Sequence, residues 1–427
     1  MFTASYPYDG SAEQTFLSRE IEHLASGFDK VVLIPQDRSG NRLQVPSNIE
    51  VVEEYALEIK GNHPYRRAIL SGLFYRELLE KGPTFLLKPK LDELVAFAAG
   101  AEFTAEWICR YMDKNSFDPT QCVVYTYWFD RASLGAGLVG RQRGVSIVSR
   151  AHGTDLYEER HRWSYIPCRR EALRLVDKLF PDSDKGSRYL MERYPEYSMK
   201  IDTARLGVPD PGFVASSSQD GTLRMASCSF LVSLKRIDLL IKGIGDAAKL
   251  RPNQPFEWNH FGTGPLQELL ERLARDTLPG NVTHNFRGYV SQDHLMQFYR
   301  DNPVDVFVNV SETEGTPVAA MEAISCGIPI VATAVGGNPE ITTEENGLLL
   351  APDPSTSEIA HALLFFIDSP EAAVSKRKGS RVLWERRYNS ERNFAEFVTR
   401  LRAVRKGSRS TLDKTDSPAF DRNSSKT

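Results

Sequence analysis

The chain has 427 residues, 41% of them apolar and 26% charged, with a net charge of −3. That length exceeds what one ordinary core organises and implies two domains, and the near-neutral charge excludes a global pull toward nucleic acid. The five cysteines, Cys109, Cys122, Cys168, Cys228 and Cys326, are scattered, odd in number and without a CxxC pair, which argues against a disulfide framework or a zinc site and fits a reducing cytoplasm.

No apolar run approaches the ~20 residues of a membrane span. Asp9 and Glu13 come too early for a signal peptide. Met1 to Ser5 leads straight into a loop, Tyr6 to Ala12, where a doubly wound α/β domain would open with a buried strand of about five residues. The first strand is therefore expected to be clipped, with the start lying downstream of a true one. Thr15 to Ala25 has helical periodicity, and Asp29 to Pro35 reads as a buried parallel strand. Asn48 to Tyr55 is a weaker strand, and His63 to Met112 is mostly helical. Val123 to Trp128 and Val145 to Ala151 read as strands, with Lys178 to Pro181 and Met199 to Leu206 as short candidates. This alternation indicates a doubly wound α/β domain.

Pro209 to Gly221, rich in proline, glycine, serine and aspartate, is the linker. A second α/β series follows, with strands at Arg224 to Val232, Phe256 to Phe261, Val282 to Phe286, Asp305 to Val310, Ile328 to Thr333 and Gly347 to Leu350. The last helix, Asn389 to Val404, repeats Phe394, Phe397, Leu401 and Val404 at helical spacing. The polar remainder reads as a disordered tail. The expected domains are 1–212 and 213–385, then a helix over 386–405 returning to the first domain, and a tail over 406–427.

Several strand ends carry chemistry. Arg150, His152 and Asp155 follow an apolar strand, where ligands of open α/β folds gather. Lys235 and Arg236 open a helix after a strand, and two cations beside a helix N-terminus suit a diphosphate. Gly262 and Gly264 form a glycine turn that lacks the third glycine of a dinucleotide fingerprint; it either contacts a nucleotide or is a purely structural turn. Gly288 would let the backbone approach a base, and Tyr289 either lines that slot or faces the core.

The most informative stretch is Ser311 to Ile341. Glu314 sits in a small-residue loop with Gly315, Thr316 and Pro317, and Glu322 lies in an apolar helix from Val318 to Cys326. A loop opening a helix presents free N–H groups at its positive end. Eight residues on a helix is a little over two turns, so both carboxylates fall near one face. Each can accept two hydroxyl hydrogens of a vicinal diol. A ribose, a diphosphate and a sugar would satisfy that arrangement.

This segment resembles the E-x7-E signature of retaining glycosyltransferases of family 4. The tail Gly327 to Thr333 and the Gly336-Gly337-Asn338-Pro339-Glu340 turn match it too. The resemblance implies the GT-B architecture: two Rossmann-like doubly wound α/β domains facing across a cleft, with a C-terminal helix crossing back to the first. It implies that Glu314 with the amides of Gly315, Thr316 and Pro317 holds the donor sugar, that Glu322 holds the ribose, and that Lys235 meets the diphosphate, where Arg236 is expected to supply the charge of a family arginine absent here. Gly262, Gly264, Gly288 and Tyr289 are expected on the nucleotide side, and Gly10, Arg150 and Asp155 on the acceptor or sugar side. His152, Lys235 and Glu314 are the expected catalytic residues. The family's glycine-arginine pair is replaced by Ser229 and Phe230. The implied reaction needs neither metal nor cofactor. It moves a hexose from a UDP- or GDP-sugar to a glycan or lipid-linked saccharide in cell-surface polysaccharide biosynthesis, in the bacterial cytoplasm. Basic and aromatic residues at Tyr65-Arg66-Arg67, Tyr75-Arg76 and Lys88-Pro89-Lys90 raise peripheral contact with an anionic inner membrane face. The alternatives are an inactive nucleotide-sugar-binding homologue and a sugar-nucleotide epimerase.

Overall fold

The computed structural model describes residues 1–9, 13–61, 68, 71–82, 88–161 and 163–406. Its strands form two six-stranded sheets. The first holds β1 (Phe2–Thr3), β2 (Val31–Pro35), β3 (Ile49–Val51), β4 (Val123–Thr126), β5 (Ser146–Ala151) and β6 (Lys178–Pro181), in the order β3-β2-β1-β4-β5-β6. The second holds β7 (Leu223–Cys228), β8 (Phe256–Phe261), β9 (Val282–Phe286), β10 (Val306–Asn309), β11 (Ile330–Thr333) and β12 (Gly347–Leu350), in the order β12-β11-β10-β7-β8-β9. All ladder pairs are parallel. Both are doubly wound orders in which the winding reverses beside the first strand, between β1 and β4 and between β7 and β10. Each reversal opens a crevice at the carboxyl ends of those strands.

The strands are short and apolar because both faces are covered. The helix Ile237–Leu250 shows the matching pattern: Ile237, Leu240, Ile241, Ile244, Ala247 and Ala248 are buried at helical spacing in the core of the second sheet. β1 is short, as the sequence reading expects, and three other elements depart from that reading. β1 has only two residues, pairing Phe2 with Ile34 and Thr126. The Asn48 to Tyr55 strand stops at Val51, because a helix starts at Glu54. Met199 to Leu206 is not a strand; a 3₁₀ turn covers Pro195–Lys200, and Ile201 makes a single bridge to Leu179. The strand expected to run to Val232 ends at Cys228, where the chain turns toward the helix carrying Lys235. Gly10, Tyr65, Arg66, Arg67 and residues 407–427 lie outside the described residues, as do the side chains of Lys88 and Pro89.

The helix Ser390–Lys406 follows the second sheet in sequence but packs on the first. Phe397, Val398 and Leu401 share a core with Leu17, Ile21, Leu24, Tyr125, Val148 and Phe180. The Phe397 ring lies 5.4 Å from Tyr125 and 5.5 Å from Phe180, each edge-on. Its face covers the Arg150 guanidinium at 3.8 Å. That guanidinium is fully buried and bonded to the Ala204 carbonyl at 2.6 Å and the Tyr125 hydroxyl at 3.1 Å, with Glu20 at 3.2 Å. Arg150 is thus not an acceptor-side residue. A buried cation needs partners, and this one finds them in the layer between β5 and the last helix, away from the cleft.

Replacing Phe397 with alanine should strip that cation of its cover and leave a cavity, costing about 3–5 kcal/mol. Urea unfolding followed by tryptophan fluorescence would measure this, and a loss below about 1 kcal/mol would contradict the packing role.

Candidate active site

The reversal between β7 and β10 makes the loops after those two strands neighbours. After β7, Ser229 and Leu231 donate backbone N–H groups to Phe261 and Thr263, a 3₁₀ turn covers Ser233–Lys235, and Arg236 caps the next helix at φ 48°. After β10 come Ser311 to Pro317 and the helix Val318–Ser325. Topology therefore sets Lys235 against Glu314, with Nζ 2.5 Å from Oε1. The same oxygen accepts from Ser311 Oγ at 2.6 Å and Asn309 Nδ2 at 3.0 Å. Oε2 is left without a bond among the described residues, so the pinned carboxylate has one oxygen to offer a ligand hydroxyl. Pro317 caps the helix without a side-chain bond, leaving the first amides of the helix uncapped.

Behind the loop, the Gly336-Gly337 turn fits where no side chain would. A Cβ on Gly336, whose φ is +53°, would lie 1.9 Å from the Glu314 carbonyl, and the Gly337 N–H donates to the Gly315 carbonyl. Glu322 sits on the helix, 6% exposed, accepting from Gln292 Nε2 at 2.8 Å. Burial pushes its carboxyl up to about 7, against the single opposing hydrogen bond from Gln292.

The first sheet supplies the facing wall. His152 follows β5 and is 8% exposed, its ring 4.5 Å from Tyr127 and 4.7 Å from Trp128. Among the described residues neither ring nitrogen has a hydrogen-bond partner. Asp155 fixes the loop rather than facing a substrate. It accepts the N–H groups of His152 and Phe129, each at 2.8 Å, and its Oδ2 stands 3.7 Å from His152 Nδ1. Burial opposes its ionisation, but the His152 ring and those backbone bonds outweigh it and hold the carboxyl below the usual range. Among the described residues, three side chains make five hydrogen bonds across the cleft. Thr316 Oγ1 donates to Asp182 at 2.6 Å, Arg160 donates to the Glu314 carbonyl at 2.5 Å and to Thr313 at 3.3 Å, and Glu340 accepts the N–H groups of Asp184 and Lys185 at 3.1 and 2.8 Å.

Other expected site residues take different places. Arg236, expected at a diphosphate, turns into the protein instead. Its guanidinium is spent on the carbonyls of Val310, Ser311 and Pro352 and on Asp353. Gly262, at φ +132°, and Gly264 pack on backbone: added Cβ atoms would meet Ser229 O at 2.0 Å and Leu231 O at 2.5 Å. They permit close approach of the β7 and β8 loops. Gly262 also donates its N–H to the Gly288 carbonyl, forming a continuous ledge on which Tyr289 is 77% exposed and turned away from the core. Phe230, 69% exposed, lies in the first of those loops. The sequence reading missed Arg160 and the loop-holding role of Glu13. Glu13, 2% exposed, accepts the N–H groups of Ala4, Ser5 and Tyr6 at 2.8, 2.7 and 3.0 Å and the Trp128 indole N–H. It organises the first loop. An acidic residue at a helix start, after a polar loop, was the available signal.

Residues 225–369 match the model of the family described as Glycosyl transferases group 1. The chain is 25% identical over 268 residues to a GDP-mannose-dependent monoacylated alpha-(1-6)-phosphatidylinositol monomannoside mannosyltransferase of Corynebacterium glutamicum, covering 57% of this chain and 67% of that one. It is 26% identical over 300 residues to the putative colanic acid biosynthesis glycosyltransferase WcaL of Escherichia coli, covering 67% and 72%. Among solved structures it resembles the lipopolysaccharide outer core galactosyltransferase WaaB, with a TM-score of 0.65 and 16% identity over 93% of this chain and 99% of that one. It also resembles HepE of Anabaena solved with UDP, with a TM-score of 0.62 and 15% identity over 94% and 99%. The two parallel sheets are those of the GT-B fold.

Glu322 makes stability depend on pH. Its carboxyl ionises near 4.5 when exposed and near 7 when folded. Between those values the native state binds more protons than the unfolded one, so stability falls as pH rises through the window and levels off above it. Glu322→Gln should match the parent near pH 4.5 and exceed it at pH 8 by up to about 3 kcal/mol. Urea titrations at both pH values test this, and a pH-independent difference would refute it.

Proposed function

We propose that this chain, a glycosyltransferase of the GT-B fold carrying a group 1 domain, moves a hexose from a UDP- or GDP-sugar to a hydroxyl of a glycan or lipid-linked saccharide, with retention of configuration and without a metal. One observation carries the reading: Lys235 and Glu314 are paired at the reversal between β7 and β10, with buried Glu322 on the helix that follows. In this reading the diphosphate lies on Lys235 and the amides that open the helix Val318–Ser325, whose positive end stabilises the departing negative charge. Glu322 accepts the ribose hydroxyls. The free oxygen of Glu314 takes a sugar hydroxyl, and His152 meets the sugar from the opposite wall. The acceptor oxygen bonds to the anomeric carbon as the bond from that carbon to the diphosphate oxygen breaks, and the same diphosphate oxygen takes the acceptor's proton.

The named activities of the curated relatives, mannosyl transfer to a phosphatidylinositol mannoside and colanic acid biosynthesis, support an acceptor in glycolipid or cell-surface polysaccharide assembly. Work at the inner face of the cytoplasmic membrane fits such an acceptor; among the described residues no helix is long and apolar enough to cross a membrane. Phe230, where the family carries arginine, favours one second reading, a homologue that binds the nucleotide sugar without turning it over.

Thermal shift against UDP, GDP and their sugars, with and without EDTA, tests the donor assignment. A selective rise in Tm that survives EDTA and is lost in Glu322→Ala is expected; no rise with any nucleotide would sink the assignment. Lys235→Ala should lower kcat/KM about 10²–10³-fold. Binding without any sugar release would favour the second reading.

A further inference from the structure

A second charged cavity lies outside the donor site, where the chain passes from the helix Pro370–Arg387 into the helix Ser390–Lys406. Its volume is about 240 Å³, and Arg205, Arg386, Arg387, Arg392 and Arg400 line it together with one acid, Glu396, and the buried Phe397. The junction is fixed to the segment after β6. Val208 donates its N–H to the Tyr388 carbonyl at 2.9 Å, and Asn393 Nδ2 donates to Leu206 O at 2.9 Å and Arg387 O at 2.7 Å. The backbone that carries these arginines is thus tied to the segment after β6.

Their charges are not balanced. Arg205 pairs with Asp184, and Arg400 with Asp202 and Glu396. Among the described residues Arg386, Arg387 and Arg392 have no carboxylate within ion-pair distance, although the exposed Glu345 feels Arg386 and Arg387 at longer range. Among the described residues the Arg392 guanidinium donates to the Arg386 carbonyl alone, and the Nε of Arg205 is buried without a partner. Like charges crowded this way destabilise the fold unless something neutralises them. Guanidinium groups converging on a cavity with spare N–H donors match an oxyanion that accepts on several sides, as a phosphate does.

We propose that this cavity binds a phosphate group, bridging the segment after β6 and the junction of the last two helices. The phosphate is either a free anion or the headgroup of an anionic lipid, and the two sources share the same chemistry.

The test uses the full chain with saturating UDP and GDP present, so that the donor site is filled. Inorganic phosphate is titrated calorimetrically, and phosphatidylcholine vesicles with and without phosphatidylglycerol are sedimented. The expected result is one phosphate bound, unchanged in Lys235→Ala and weakened at least about 10-fold in the double variant Arg387→Ala/Arg392→Ala. Phosphate binding without vesicle capture supports the free anion. Capture that requires phosphatidylglycerol and fails in the double variant supports the headgroup. Circular dichroism and Tm confirm that the variant folds. Failure of both probes, binding indifferent to the double variant, or binding abolished by Lys235→Ala would each overturn the proposal, and none of these bears on the donor reading.

Discussion

The contact between Lys235 and Glu314 is the constraint around which the second half is arranged. It exists because two strands distant in sequence, β7 and β10, are neighbours where the winding reverses, so the loops that leave them emerge side by side. Each loop is then held from behind. The β7 loop rests on Gly262 and Gly264, and the β10 loop rests on Gly336 and Gly337, at distances that admit no side chain. Arg236 adds a third brace by tying the carbonyls of Val310 and Ser311 to Pro352. The result is a carboxylate whose position is fixed by three donors on one oxygen while the other stays open, the kind of support that a site needs if geometry is to be set before the ligand arrives.

The fold was readable because buried parallel strands are near-continuous apolar runs, and the second half keeps them short and clearly bounded. Phe256–Phe261, Val282–Phe286 and Gly347–Leu350 have the bounds the residues suggest. Boundaries failed where burial did not coincide with a run. Ile201 and Leu206 are buried and apolar neighbours of a sheet without forming a strand, because one bridge and several side-chain contacts suffice to hold them.

At the site, the loop and helix around Glu314 and Glu322 were legible because glycine, proline and acid spacing are local signals. What sequence could not supply was direction. Arg150 and Arg236 are cations in suggestive places, yet both point into the protein, one beneath Phe397 and the other beneath the β10 loop. Arg160 carries no local motif and acquires its role only because the first half brings it to the Glu314 carbonyl. Spacing along a chain specifies which residues share a helix face, but not which of two layers a long side chain will enter.

Glu340 ends the same glycine turn that supports the Glu314 loop, and its carboxylate receives the N–H groups of Asp184 and Lys185 at the start of the helix Asp184–Arg193 in the first half. A helix of one half is therefore finished by an acid of the other. Were the halves to part, that helix would lose its anionic terminator and the acid its two donors, so separation at this corner is resisted by a charge-dipole attraction as well as by packing. The corner thus ties the glycine turn of one half to the first turn of a helix in the other by two hydrogen bonds on a single carboxylate. The turn that shapes the Glu314 loop is thereby also the place where the two halves are fastened by charge.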